Sequence, residues 1–128
     1  MISAHPRNID AYEKLGRLYL KKSDYESAKE TFAFLAKIVP KDASVTASLG
    51  EVELGLNKPE KALKYFKKAT QLSPNNPKYV DFLAESAILA GDKVIALDAV
   101  KKFKELNPES KKIDQFNQRI SEINILKK

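Results

Sequence analysis

Four of the six prolines, Pro6, Pro40, Pro74 and Pro108, follow one another at intervals of 34 residues. A proline lacks an amide hydrogen and pushes the residue before it toward extended geometry, so it stops a helix. A stop that recurs at a fixed interval constrains the chain to a repeated unit. The frames around three of these prolines are alike: Val39-Pro40-Lys41-Asp42, Ser73-Pro74-Asn75-Asn76 and Asn107-Pro108-Glu109-Ser110.

The residues between the prolines repeat as well. Units are counted from Ile9, Ala43 and Pro77. Positions 4, 7, 8 and 11 read Tyr12, Leu15, Gly16, Tyr19 in the first unit, Thr46, Leu49, Gly50, Glu53 in the second and Val80, Leu83, Ala84, Ala87 in the third. That spacing makes one face of a helix. Positions 20, 24 and 27 read Ala28, Phe32, Leu35, then Ala62, Phe66, Ala69, then Ala96, Val100, Phe103, the face of a second helix. Turn signals separate the two: Ser23-Asp24, Asn57-Lys58-Pro59 and Gly91-Asp92. Asp24 and Asp92 suit N-caps, and Pro59 and Pro77 suit the first helical turn.

Each unit is therefore predicted to be a helix A, a short turn and a helix B, with spans 9–22, 25–38, 43–56, 59–72, 77–90 and 93–106. Two helices approach closely only where small residues meet. Gly16, Gly50 and Ala84 supply this on helix A, and Ala28, Ala62 and Ala96 on helix B. Phe32, Phe66 and Val100 fill space beside the crossing. One such unit cannot bury its apolar face alone, so the units must stack.

This pattern resembles the tetratricopeptide repeat (TPR). The resemblance covers units 9–42, 43–76 and 77–108, and Glu53 and Thr46 depart from the aromatic or aliphatic residues expected at their positions. It implies an all-α, right-handed superhelical solenoid of three helix-turn-helix units. Residues 109–128 read as a seventh helix. Its apolar stripe, Ile113, Phe116, Ile120 and Ile123, suits a cap on the last repeat; a short dimerisation seam is the other reading. Residues 1–8 read as a tail, with Ile2–Pro6 resembling the end of a missing upstream repeat. Without that neighbour, Ile9 or Tyr12 would be exposed and would invite self-association.

Absences narrow the function. The 128 residues include no Cys and one His, so disulfides, thiolate catalysis and His-based triads are excluded. No apolar run is long enough to span a bilayer, and no glycine-rich phosphate loop is present. No catalytic residue, metal or cofactor is expected. The compartment stays open: cytoplasm by default, or the periplasm or a membrane tether through a missing N-terminal region.

The resemblance implies that helix A lines a concave groove that binds peptide segments of partner proteins. The groove candidates are Glu13, Arg17, Leu20, Glu51, Leu54, Lys78, Asp81, Phe82, Glu85 and Ile88. Leu20, Leu54 and Ile88 share position 12, and Arg17, Glu51 and Glu85 share position 9. One subtype of the family grips acidic chaperone tails with a clamp of Lys, Asn and Arg. This chain has Glu13, Arg17, Ser48, Lys78 and Phe82 at the clamp positions, and only Lys78 matches. A basic or apolar segment is therefore the expected partner.

The net charge of +6 raises nucleic-acid or acidic-surface binding as the alternative. Yet the excess lies on the B helices and residues 109–128, while the A helices are near neutral to acidic. The aromatics within Tyr65-Phe66-Lys67-Lys68 and Lys101-Lys102-Phe103-Lys104 include core positions of the repeat, which argues against base stacking. A lysine-rich outer face for solubility is the plainer reading.

Overall fold

The computed structural model describes residues 6–126. It contains seven helices: α1 (Pro6–Lys21), α2 (Tyr25–Ile38), α3 (Ala43–Gly55), α4 (Pro59–Leu72), α5 (Pro77–Ala90), α6 (Lys93–Leu106) and α7 (Lys112–Leu126). Among the described residues there is no strand. The predicted spans agree within a residue or two, except at the two ends. Helix α1 begins at Pro6 rather than at residue 9, because proline fits a first helical turn that needs no amide donor there. Residues 1–5 of the proposed upstream remnant lie outside the described residues. Helix α7 begins at Lys112, where Ser110 Oγ accepts from the Lys112 amide at 3.1 Å.

Local chemistry sets the remaining boundaries. Asp24, Asp42 and Asp92 each accept a hydrogen bond from the amide three residues on, at 3.1–3.3 Å, and Asn76 accepts from the Lys78 amide at 3.0 Å. Each A helix ends on a left-handed residue, Ser23 (φ 61), Asn57 (φ 63) or Gly91 (φ 75), spaced by the same 34 residues. The following amide closes each end: Asp24, Lys58 and Asp92 donate to the carbonyls of Tyr19, Glu53 and Ala87, each at 2.8 Å. This hydrogen bond satisfies a carbonyl that the helix would otherwise leave open.

The helices stack in two layers. α1, α3, α5 and α7 touch in succession, and each hairpin partner packs behind. Among the described residues no Cα of α2, α4 or α6 comes within 8 Å of a Cα of another of the three. Rows that touch lie on the inside of a curve, so the A helices form the concave face and the B helices the convex one. The chain is an all-α helical repeat solenoid.

The small residues do their work at the crossings. A Cβ on Gly16 would sit 2.6 Å from the Phe32 ring, and one on Gly50 would sit 2.6 Å from Phe66. Ala28, Phe32, Ala62, Phe66, Ala84 and Ala96 have no exposed surface. The central helix α3 is buried along Val45–Gly50, because neighbours cover it on both sides. The irregular residues of the second unit are buried with it. Thr46 Oγ1 donates to the Asp42 carbonyl at 3.0 Å. Glu53 pairs with Lys29 at 3.3 Å, with its carboxylate 2% exposed.

The leading face of α1 differs from expectation. Ile9 and Tyr12 are half-buried, because they pack with Phe32 and Leu35, and the Tyr12 ring meets Phe34 edge-on at 5.9 Å. The exposed residue is Leu18, at 46%. Its counterparts one, two and three repeats on, Val52, Ser86 and Ile120, are buried because each faces a preceding B helix.

Candidate functional site

The concave face is a ladder of A-helix side chains. Position 9 of successive units holds Arg17, Glu51 and Glu85, and α7 continues the row with Arg119. Polar contacts join the rungs at the first and last junctions, and one of them, between position 5 and position 2 of the next unit, recurs with the repeat. At the first junction Ser44 Oγ donates to Glu13 Oε2 at 3.0 Å, and Arg17 Nη2 donates to Ser44 Oγ at 3.3 Å. At the last junction Lys112 pairs with Asp81, the same unit positions as Ser44 and Glu13. Arg119 forks onto Glu85 there, with Nη1 and Nη2 at 2.8 and 2.7 Å from the two carboxylate oxygens.

These pairs change the reading of two groove candidates. Asp81 and Glu85 hold α7, so their charges are answered within the chain. Lys112 and Arg119 lie off the apolar stripe of the cap, so the stripe does not mark them. Their complementarity to Asp81 and Glu85, roughly one repeat earlier, was the available signal. Ile88 is also not a groove residue in the expected sense. It is 9% exposed and packs in the cluster containing Ile120 and Ile123, because α7 covers it.

The middle junction is built differently. Ala47 replaces the acid at position 5 and is buried, so Lys78 lacks the position-5 partner that Ser44 and Lys112 have. Glu51 makes no ion pair or hydrogen bond among the described residues. Burial pushes its carboxyl above the ordinary glutamate range, with Lys78 and Arg17 pulling partly the other way. Beside it opens a cavity of about 320 Å³, lined by Leu20, Tyr25, Glu51, Leu54, Gly55 and Phe82. The structure thus gathers Leu20, Glu51, Leu54 and Phe82 from three different units.

Tyr25 was missed. It stands at position 17, where the other units have Pro59 and Lys93, so no recurrence marked it. Gly55 makes room for its ring; a Cβ there would fall 2.1 Å away. Phe82 is held by a parallel stack on Phe66, centroids 4.9 Å apart and planes 6° from parallel.

The Glu85–Arg119 pair makes a testable switch of order. The two hydrogen bonds from Arg119 hold the Glu85 carboxyl below its ordinary range, against the opposing effect of burial. A depressed folded value means stability present above the ordinary glutamate pKa and lost as pH falls through the folded one. Amides of α7, corrected for intrinsic exchange rate, are expected to lose protection on acidification before those of α3. In Arg119→Ala the protection at neutral pH should fall by about 1 kcal/mol, the upper range for a partly exposed pair. Unchanged protection of α7 in that variant would refute the anchoring role.

The convex face carries the lysines. Lys61, Lys64, Lys67 and Lys68 of α4 are exposed, whereas Phe66 and Phe103 are buried and unavailable for stacking on bases. Among the described residues no cluster of three or more His, Cys, Asp or Glu could hold a metal. No helix there is long and apolar enough to cross a membrane.

Comparison with known proteins agrees with this architecture. Two family models, both described as tetratricopeptide repeat, match residues 9–33 and 46–76. The protein CTR9 homolog of Arabidopsis thaliana is 31% identical over 90 residues, which is 70% of this chain and 8% of that protein. This chain therefore spans a small part of that relative's length. The first TPR of Spaghetti (RPAP3), solved with the HSP90 peptide SRMEEVD, superposes with a TM-score of 0.84 at 15% identity, covering 92% of this chain and 94% of that one. The TPR2AB domain of yeast Sti1 gives 0.82 at 21%, covering 91% and 48%. A MamA variant gives 0.73 at 28%, covering 83% and 77%. With the 34-residue period, the glycine–phenylalanine crossings and the two-layer stack, these matches make the chain a member of the tetratricopeptide repeat family.

Proposed function

We propose that the protein is a non-catalytic interaction module that takes a peptide segment of a partner protein along its concave face. The observation that carries this reading is the cavity at the middle junction, where side chains of three units converge on open space. Solvated repeat surfaces have no reason to gather Leu20, Leu54 and Phe82 around one hollow. The Spaghetti and Sti1 domains, similar in fold, were solved with chaperone peptides, which supports a peptide in this groove.

The segment is basic or apolar. The peptide SRMEEVD is acidic near its end; this groove offers it Lys78 alone of the clamp residues, while Lys112 and Arg119 are engaged by Asp81 and Glu85 and the charge of Glu51 stays unanswered. Like charges across an interface suppress a partner.

Affinity capture followed by cross-linking and mass spectrometry tests the groove. Leu54→Asp is expected to lose a partner that the unaltered chain retains, with the helical circular dichroism spectrum intact. A partner retained by Leu54→Asp but lost on combined Lys61→Glu, Lys64→Glu and Lys68→Glu would move the interaction to the convex face. Nucleic acid bound there with a steep salt dependence would make the lysine-rich surface the functional one.

A further inference from the structure

We infer that the cavity at the middle junction is a socket for one cationic side chain, arginine or lysine, of the bound segment. This deepens the groove reading above and rests on it. The four groove carboxylates are not alike. Glu13 is bonded by Ser44, Asp81 by Lys112 and Glu85 by Arg119. Glu51 alone of these four has no partner, and it alone lines the cavity. Its neighbours Arg17 and Lys78 act on it only through space, and Arg17 is engaged by Ser44.

A half-buried carboxylate without a partner has lost water and gained no bond in return. A guanidinium or ammonium placed against it would restore that loss. The rest of the cavity suits the stem of such a side chain. Leu20, Leu54, Phe82 and Tyr25 offer apolar and aromatic surface, against which the methylenes of lysine or arginine pack while the head reaches a charge. The aromatic rings of Tyr25 and Phe82 add attraction for a cation that approaches a ring face. An acidic or small neutral side chain would leave Glu51 as it is. The repeat explains why the socket occurs once. At the first junction position 9 holds Arg17 instead of an acid, and at the last Glu85 is answered by Arg119; only at the middle one does the position-9 charge, Glu51, stay open.

Two probes of equal shape separate the socket from the groove. The peptide acetyl-Ala-Leu-Arg-Leu-Ala-amide is titrated into nitrogen-15-labelled protein, beside the same peptide with citrulline in place of arginine. The arginine peptide is expected to shift the amides of Leu20, Glu51, Leu54 and Gly55 and to bind at least about tenfold more tightly, the scale of a hydrogen bond to a charged group. In Glu51→Gln, which keeps the shape, the two peptides should bind alike. Lys78→Gln should leave or raise the arginine preference, since it removes a competing cation. Equal binding of both peptides at these amides would overturn the socket and leave the groove standing. An arginine preference that survives Glu51→Gln would overturn it too. Absence of any shift at these amides with either peptide would overturn both readings.

Discussion

Phe66→Ala should lower the unfolding free energy by about 3–5 kcal/mol, the range for emptying a buried phenylalanine site. For a domain of ordinary stability, about 5–15 kcal/mol, that is a large share. The ring has no exposed surface, occupies the place a Cβ on Gly50 would need, and stacks on Phe82. Gly50→Leu alone should cost about 1–3 kcal/mol by overpacking the same spot. Combined, the two changes should cost less than their sum, because the new leucine fills the vacated volume. Urea denaturation of the four proteins measures the coupling, expected at roughly 1 kcal/mol or more. Strict additivity would mean that these positions do not share one space.

The second large effect concerns the pair across α2 and α3. Lys29→Ala leaves the Glu53 carboxylate buried and alone. Breaking a buried pair from one side costs about 3–5 kcal/mol; Lys29 is 37% exposed, so water offsets part of that and about 1–3 kcal/mol is expected. Glu53→Leu removes the charge instead. The same position holds Tyr19 and Ala87 in the other units, so an apolar side chain suits it, and the change should be neutral or stabilising by up to about 4 kcal/mol. In the Glu53→Leu background, Lys29→Ala should cost little. A thermal melt in which Glu53→Leu unfolds before Lys29→Ala would show that the ion pair, not the volume, holds this interface.

Much of the fold is legible in the sequence because it is written three times. A glycine at position 8 and an alanine at position 20 mean little once. At one interval, with a proline closing each unit, they specify a crossing, a turn and a stack. The left-handed residues Ser23, Asn57 and Gly91 show the same regularity in the backbone, although only glycine among them announces it. The candidate site is less legible, because what sets it apart does not repeat. Tyr25 has no counterpart, Ala47 interrupts a row of polar contacts, and Glu51 matters through the partner it lacks. Lys112 and Arg119 lie outside the counted units, so their hold on Asp81 and Glu85 depends on α7 docking as a fourth A helix. Periodicity finds scaffold; the breaks in it locate the chemistry.

The unequal layers have a mechanical consequence. Inner helices meet their inner neighbours, whereas α2, α4 and α6 stand apart along the back. Bending the rod closed or open therefore works against the packing of each B helix on the A helix that follows it, the broadest contact at every junction. Each junction acts as a vertebral joint with its stiffness on one side. Polar ties on the concave side brace the first and last joints, while the central joint, with Ala47 in place of the position-5 acid, carries no such brace. There the Phe66–Phe82 stack and the close packing of α4 on α5 take the brace's place, so the walls of the hollow beside Glu51 are set by fitted rings and not by paired charges.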